Sequence, residues 1–250
     1  MNLEPLTLLA LAGVGLAAGF VDAIAGGGGM LSVPALLSAG LPPVAALATN
    51  KMQSIIGTTM AATTYWRKGM VSLRALVPAI LLTMAGSLFG ALTVKHIDTS
   101  ALNVAVPIAL IAIAGYFMFA PRLTDADRAA RLSFPIYVPI VGMVVGFYDG
   151  LFGPGTGSFL TLAFVALFGL GVTRAAGNTK VLNLASNFGA LLLFIPSGDV
   201  VWQVAIVMAI GQIAGGYLGA LTGIRFGARL IRPLVVIVSI AMALRLLLVH

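Results

Sequence analysis

Apolar stretches at about 6–25, 30–40, 44–65, 75–94, 101–120, 134–152, 157–171, 178–195, 203–222 and 232–249 fill nearly the whole chain, with brief polar breaks between them. Most approach the roughly 20 residues that a helix needs to cross a bilayer. They are apolar on every side, whereas a membrane β-strand alternates apolar and polar positions over about ten residues. The pattern predicts an all-α polytopic membrane protein with almost nothing left for a soluble domain. Two stretches are short. As helices, 30–40 and 157–171 would rise only about 17 and 22 Å against a hydrocarbon core of roughly 30 Å, so each is expected to be a partial helix.

Composition agrees. Of 250 residues, 60% are hydrophobic and 8% charged, with a mean hydropathy of +1.10, where a soluble domain carries roughly 25% charged residues. The chain has no cysteine, which excludes disulfides, thiol chemistry and Cys-based metal sites. Its histidines, His96 and His250, stand at segment ends. Glu4 and the lack of a basic leader make the first stretch a retained span and not a cleaved signal peptide. The net charge of +7 reads as basic cytoplasmic loops, placed by the rules of insertion, and not as a nucleic-acid surface.

The chain repeats itself. Shifting the first half by 127 residues lays Gly19, Phe20, Asp22, Gly26 and Gly28 on Gly146, Phe147, Asp149, Gly153 and Gly155. With two further residues inserted in the second copy, Lys51 falls on Lys180 and Gly69 on Gly198, and residues 85–93 match 214–222 at six of nine positions. The polar run 121–133 is the natural linker, dividing the chain into an N-terminal repeat (1–120) and a C-terminal repeat (134–250). Basic residues orient the copies. If the short stretch returns the chain to the side it came from, Arg67, Lys68, Arg74, Arg122, Arg128, Arg131, Arg174, Arg225, Arg229 and Arg232 share one side, with only Lys95 and Arg245 opposite. An even number of crossings would divide them almost equally, which specifies no orientation. The positive-inside rule therefore favours two inverted-topology repeats, each of about four to five transmembrane or re-entrant helices, with both termini outside and the linker in the cytoplasm.

Candidate chemistry sits at the same places in both copies. Gly26, Gly27, Gly28 and Gly29, and Gly153, Gly155 and Gly157 with Pro154 and Thr156, are poor helix formers that permit a reversal inside the membrane. Such a reversal leaves free N–H groups at the start of the short helix, and these form an anion site. Lys51, beside Asn50 and Gln53, lies some 12 Å into its stretch by helical rise; its counterpart Lys180 follows Asn178 and Thr179 and precedes Asn183 and Asn187. A lysine in a bilayer is retained by pairing or by function. Asp22 and Asp149 are expected either to neutralise these lysines or to carry protons, and the two readings stay open here. Gly86 with Gly90, and Gly215 with Gly219, read as close helix packing. Tyr65, Trp66 and Trp202, at segment ends, are expected to be interfacial anchors, and Gln212, Tyr148 and Tyr217 are weaker site candidates. No nucleophile elbow, metalloprotease or Walker motif is present, so no catalytic residues, cofactor or metal are expected.

In these residues the chain resembles the TauE/SafE sulfite exporter family, from Gly19-Phe20-x-Asp22 and the four glycines with Pro34, through Thr49-Asn50-Lys51, to the second glycine element and Gly177-Asn178-Thr179-Lys180. The resemblance implies a secondary carrier of the bacterial inner membrane, exporting a small anion such as sulfite, thiosulfate, an organosulfonate or a related carboxylate by alternating access, with proton coupling left open. The alternatives are a passive anion channel and, last, a membrane-embedded enzyme or assembly factor. Expected partners are the anionic substrate and the lipid bilayer, with no nucleic acid; a homodimer is left open.

Overall fold

The computed structural model describes residues 4–94, 96, 111, 112, 115, 118, 119 and 124–248, side chains at 242 and 245–248 excepted. Lys95, Arg122, His250, both chain ends and most of the expected span at 101–120 fall outside the described residues. The described residues form helices and connecting turns alone: α1 (Pro5–Ala25), α2 (Gly29–Ser38), α3 (Pro43–Arg67), α4 (Leu73–Val94), α5 (Phe134–Leu151), α6 (Thr156–Ala166), α7 (Val172–Phe194), α8 (Trp202–Phe226) and α9 (Ala228–Leu248). Prolines open α1, α3 and α5, where a missing amide hydrogen costs nothing. Helices α1, α4, α5 and α8 are long and apolar enough to cross a membrane. The short helices α2 and α6, of 10 and 11 residues, are not.

Contacts between helices are made by glycine. α1 packs along α8, and α4 along α5. A Cβ on Gly86 or Gly90 of α4 would lie 2.2 or 2.1 Å from the backbone oxygens of Met143 and Phe147 in α5. On Gly215 or Gly219 of α8 it would lie 2.1 or 2.5 Å from those of Leu16 and Phe20 in α1. These glycines hold helices at backbone contact, which is how membrane helices associate when lipid removes the hydrophobic drive.

The two ends of the bundle differ. At one, the turn after α3, the segment 124–133 and the turns before α7 and α9 gather: Val71 lies against Gly177, Arg128 N donates to Gly169 O at 2.7 Å, and Asp125 accepts from the amides of Thr173 (3.1 Å) and Ala228 (3.0 Å). One carboxylate thus caps two helix N-termini, where the dipole favours negative charge. At the other end Leu11, Leu36, Leu41, Val204 and Met208 share a cluster. α1 begins at this second end and α5 at the first, where Phe134 packs on Phe164 and Phe168. Arg67, Lys68, Arg74, Arg128, Arg131, Arg174, Arg225, Arg229 and Arg232 all belong to segments of the first end.

Candidate functional site

The two glycine breaks meet. α1 stops at Ala25 because Gly26 is left-handed, with φ 77°, and α2 starts beside Ala18 and Asp22. α5 stops at Leu151, Gly153 and Gly155 are left-handed at φ 91° and 88°, and α6 starts at Thr156. A Cβ on Gly26 would stand 2.3 Å from Gly157 Cα, and one on Gly157 2.2 Å from Gly26 Cα. No residue but glycine lets the two turns touch in this way.

Around this contact the acids and bases of the two halves are exchanged. Lys51 of α3 pairs with Asp149 of α5 at 2.5 Å, and Lys180 of α7 with Asp22 of α1 at 3.0 Å. Each lysine is the ninth residue of its helix, counting from Pro43 and from Val172. Asp149 is almost wholly buried (side chain 3% exposed) and also accepts hydrogen bonds from Thr156 Oγ1 (2.7 Å) and from Ser186 Oγ. The Asp22 side chain is 15% exposed and, among the described residues, accepts besides Lys180 only from the Gly28 amide at 3.3 Å. Ion pairs this deep cost several kcal/mol of desolvation per charge, which only close geometry and further hydrogen bonds offset.

Between the pairs lies a polar cavity of about 30 Å³, room for roughly one water. Asp22, Gly26, Gly29, Asn50, Lys51 and Ser54 line it from the first half, and Asp149, Gly153, Gly155, Thr156, Gly157, Asn183 and Asn187 from the second. The Asn50 carbonyl oxygen accepts from Ser32 Oγ (2.5 Å) and Gln53 Nε2 (2.9 Å), which leaves the Asn50 amide nitrogen, the donor, facing Gly29 at the cavity wall. Among the described residues, the backbone amides of Gly29, Gly155 and Gly157 and the side-chain amides of Asn183 and Asn187 make no hydrogen bond. Also among them, no group of three or more His, Asp or Glu side chains is placed to hold a metal ion.

A family model described as sulfite exporter TauE/SafE matches residues 11–246. The chain belongs to the TauE/SafE family. Its relatives include the probable membrane transporter protein ORF9 of Sinorhizobium sp, 45% identical over 92% of this chain and 88% of that one. The probable membrane transporter protein YfcA of Escherichia coli (strain K12) is 44% identical over 98% and 91%, and a probable membrane transporter protein of Haemophilus influenzae 43% over 93% and 91%. No solved structure matches the chain significantly. With these relatives and its apolar helices, this TauE/SafE protein is a multi-pass membrane protein.

Not every expected site residue reaches the cavity of this TauE/SafE protein. Lys180 stands behind Asp22, and Gly27 and Gly28 lie outside the lining, although Gly28 touches Asp22 through its amide. Asn178 turns away: its side chain donates to Arg174 O at 2.7 Å, in a separate pocket with Asp127 and Arg174. Thr179 bonds Thr161 at 3.1 Å. Gln212 is buried in the glycine seam against Gly19 and Gly57, and Tyr148 donates to Pro154 O, bracing the second turn. Tyr65 corrects an expectation. It is fully buried, donating to Ala23 O at 3.2 Å under Gly223, and is no interfacial anchor; Trp66 and Trp202 are about half exposed. Ser54 and Ser186 were not singled out in the sequence. Helical spacing carries a signal for both, since Ser54 is three residues after Lys51 and Ser186 three after Asn183, on the face turned to the site.

Proposed function

We propose that this TauE/SafE protein is a secondary carrier that exports a small anion, sulfite, thiosulfate, an organosulfonate or a related carboxylate, from the cytoplasm across the bacterial inner membrane. The observation that carries the reading is the cavity itself: the buried Lys51, three asparagine amides and three backbone N–H groups without a partner among the described residues converge on it from both halves of the chain, with Lys180 behind Asp22 in its wall. Lys51, Asn50, Asn183 and Asn187 contact the anion together with Gly29, Gly155 and Gly157, and the positive ends of α2 and α6 add to its binding. The relatives named as membrane transporters point to transport and not to catalysis.

The two halves are inverted repeats that rock about the Gly26–Gly157 contact to open the cavity to each side in turn. Support comes from α1 and α5, which begin at opposite ends of the bundle, and from the glycine seams: Gly86 and Gly90 meet Met143 and Phe147 as Gly215 and Gly219 meet Leu16 and Phe20, the residues that the internal duplication aligns. The basic end is cytoplasmic by the positive-inside rule. Because the chain has no native cysteine, single cysteines at Thr124 and Ser197 can be labelled cleanly, and labelling from the same side of the membrane overturns the arrangement.

The functional test is a thermal-shift screen of purified protein against sulfur oxyanions, sulfonates and carboxylates, followed by flux measurements on the best anion in vesicles. A bound anion raises the melting temperature according to its affinity. If no anion of these classes stabilises the protein, the reading fails.

A further inference from the structure

The two acids at the cavity are not equivalent, and this bears on what moves with the anion. Asp149 holds three donors at once, Lys51, Thr156 and Ser186, in near-complete burial. Neutralising it would leave Lys51 buried without a counter-charge. Asp22 has one lysine and one long amide bond, keeps some exposure and stands in the cavity wall with Lys180 directly behind it. The ionisable groups that face Asp22 from the helices packed on α1 are Lys180 of α7 and Lys51 of α3, with Asp149 of α5 across the cavity. Tyr65 of α3 donates to the α1 backbone at Ala23. α2 and α6 contribute no ionisable side chain, Tyr217 of α8 is exposed, and Arg225, Arg229 and Arg232 of α8 and α9 belong to the basic end.

With both acids ionised, the two lysines and two aspartates cancel. Adding a bare monovalent anion to such a cluster leaves one uncompensated negative charge out of water, and a divalent one leaves two, which proteins avoid at considerable cost. Protonating Asp22 removes that obstacle. It converts a carboxylate in the cavity wall into a neutral hydroxyl donor and leaves the Lys180 charge for the anion to neutralise. We propose that Asp22 is the proton-carrying group: the site binds its anion together with one proton on Asp22, and when the anion leaves, the proton leaves too and the Asp22–Lys180 pair re-forms. Asp149 stays ionised throughout and holds Lys51 in place. This rests on the carrier reading above and adds to it that a monovalent anion crosses electroneutrally, as its acid.

The test uses methanesulfonate and thiosulfate, anions that do not take up protons near neutral pH, so any proton moved belongs to the protein. In proteoliposomes, the wild type should exchange labelled anion across the membrane, and should also accumulate it when the outside is made acidic. Asp22→Asn should lose the acid-driven accumulation, so that any anion it still moves no longer follows the proton gradient, whereas Asp149→Asn should lose exchange and accumulation alike. A pH-sensitive dye inside wild-type vesicles gives a reading that needs no variant: an imposed anion gradient should move protons in the same direction as the anion. Anion flux without proton movement overturns the proposal, as does Asp22→Asn that still accumulates anion, or Asp149→Asn that loses accumulation alone. If the wild type neither exchanges nor accumulates either anion, the carrier reading for sulfur anions falls, and the proton assignment with it.

Discussion

The chain writes one device twice and finishes the copies differently. In the first half the turn is three glycines, Gly26, Gly27 and Gly28, with one left-handed residue, and the acid before it, Asp22, is held by a lysine and a backbone amide. In the second half the turn has two left-handed glycines around Pro154, is braced by the Tyr148 hydroxyl, and its acid, Asp149, is held by three side chains. One copy is loosely tied and the other locked. The contrast teaches that two acids aligned by one sequence repeat need not be held alike, one by three side-chain donors and the other by a lysine and a single amide. The ion pairs cross between halves, so neither copy can be complete alone.

The place where the copies touch should be the most sensitive to change. Replacing Gly157 with valine puts a branched side chain where even a Cβ comes within 2.2 Å of Gly26 Cα. The obstructing atoms are backbone and cannot swing aside, so the turns must separate. The expected outcome is loss of anion flux together with a large fall in the melting temperature of the purified protein, since a forced backbone shift belongs to the short class of severe defects. Normal flux from Gly157→Val would mean that the contact of the two turns is dispensable.

The lysines measure the asymmetry next. Lys51→Met and Lys180→Met should both abolish anion flux, but not at equal expense to the fold. Lys51→Met strands a buried carboxylate, a defect that costs roughly 3–5 kcal/mol. Lys180→Met strands Asp22, which is 15% exposed and can meet water or take up a proton. Its melting temperature should fall distinctly less. Equal losses would mean that the two pairs are energetically alike, whatever their geometry.

Much of this was legible in the sequence, and what was not has a physical reason. The helices, the short second elements, the glycine turns and the buried Lys–Asp chemistry follow from residue type and spacing. Which lysine meets which aspartate does not, because the answer depends on α1 lying along α8 and α4 along α5, contacts that no local pattern of the chain reports. Position along a segment also misleads where a partner helix reaches further than expected: Tyr65 stands near the end of its apolar stretch, yet α1 and Gly223 close over it. Asn178 shows the opposite case. It is two residues from Lys180, a spacing that turns it away on a helix, whereas Asn183 and Asn187, three and seven residues on, face the cavity. That distinction was available from periodicity alone.

The smallest effect is the one that isolates what makes the second half rigid. Ser186 donates to the same Asp149 oxygen that Lys51 engages, and the duplication gives it no counterpart donor in the first half, where Gly57 stands at the aligned position. Ser186→Ala removes one of several hydrogen bonds to a charged acceptor, worth roughly 1.5–3 kcal/mol at most where the remaining donors do not adjust. Flux should persist and the melting temperature fall modestly. The sharper reading comes from combining it with Lys51→Met. Groups sharing one acceptor in one network couple by about 0.5–3 kcal/mol, so the double variant should depart from the sum of the singles. Ser186→Ala combined with Lys180→Met, which acts on the other pair, should come much closer to additivity. Coupling of the same size in both combinations would show that the two pairs behave as a single four-charge network, and the division between a fixed acid and a movable one would then have to be given up.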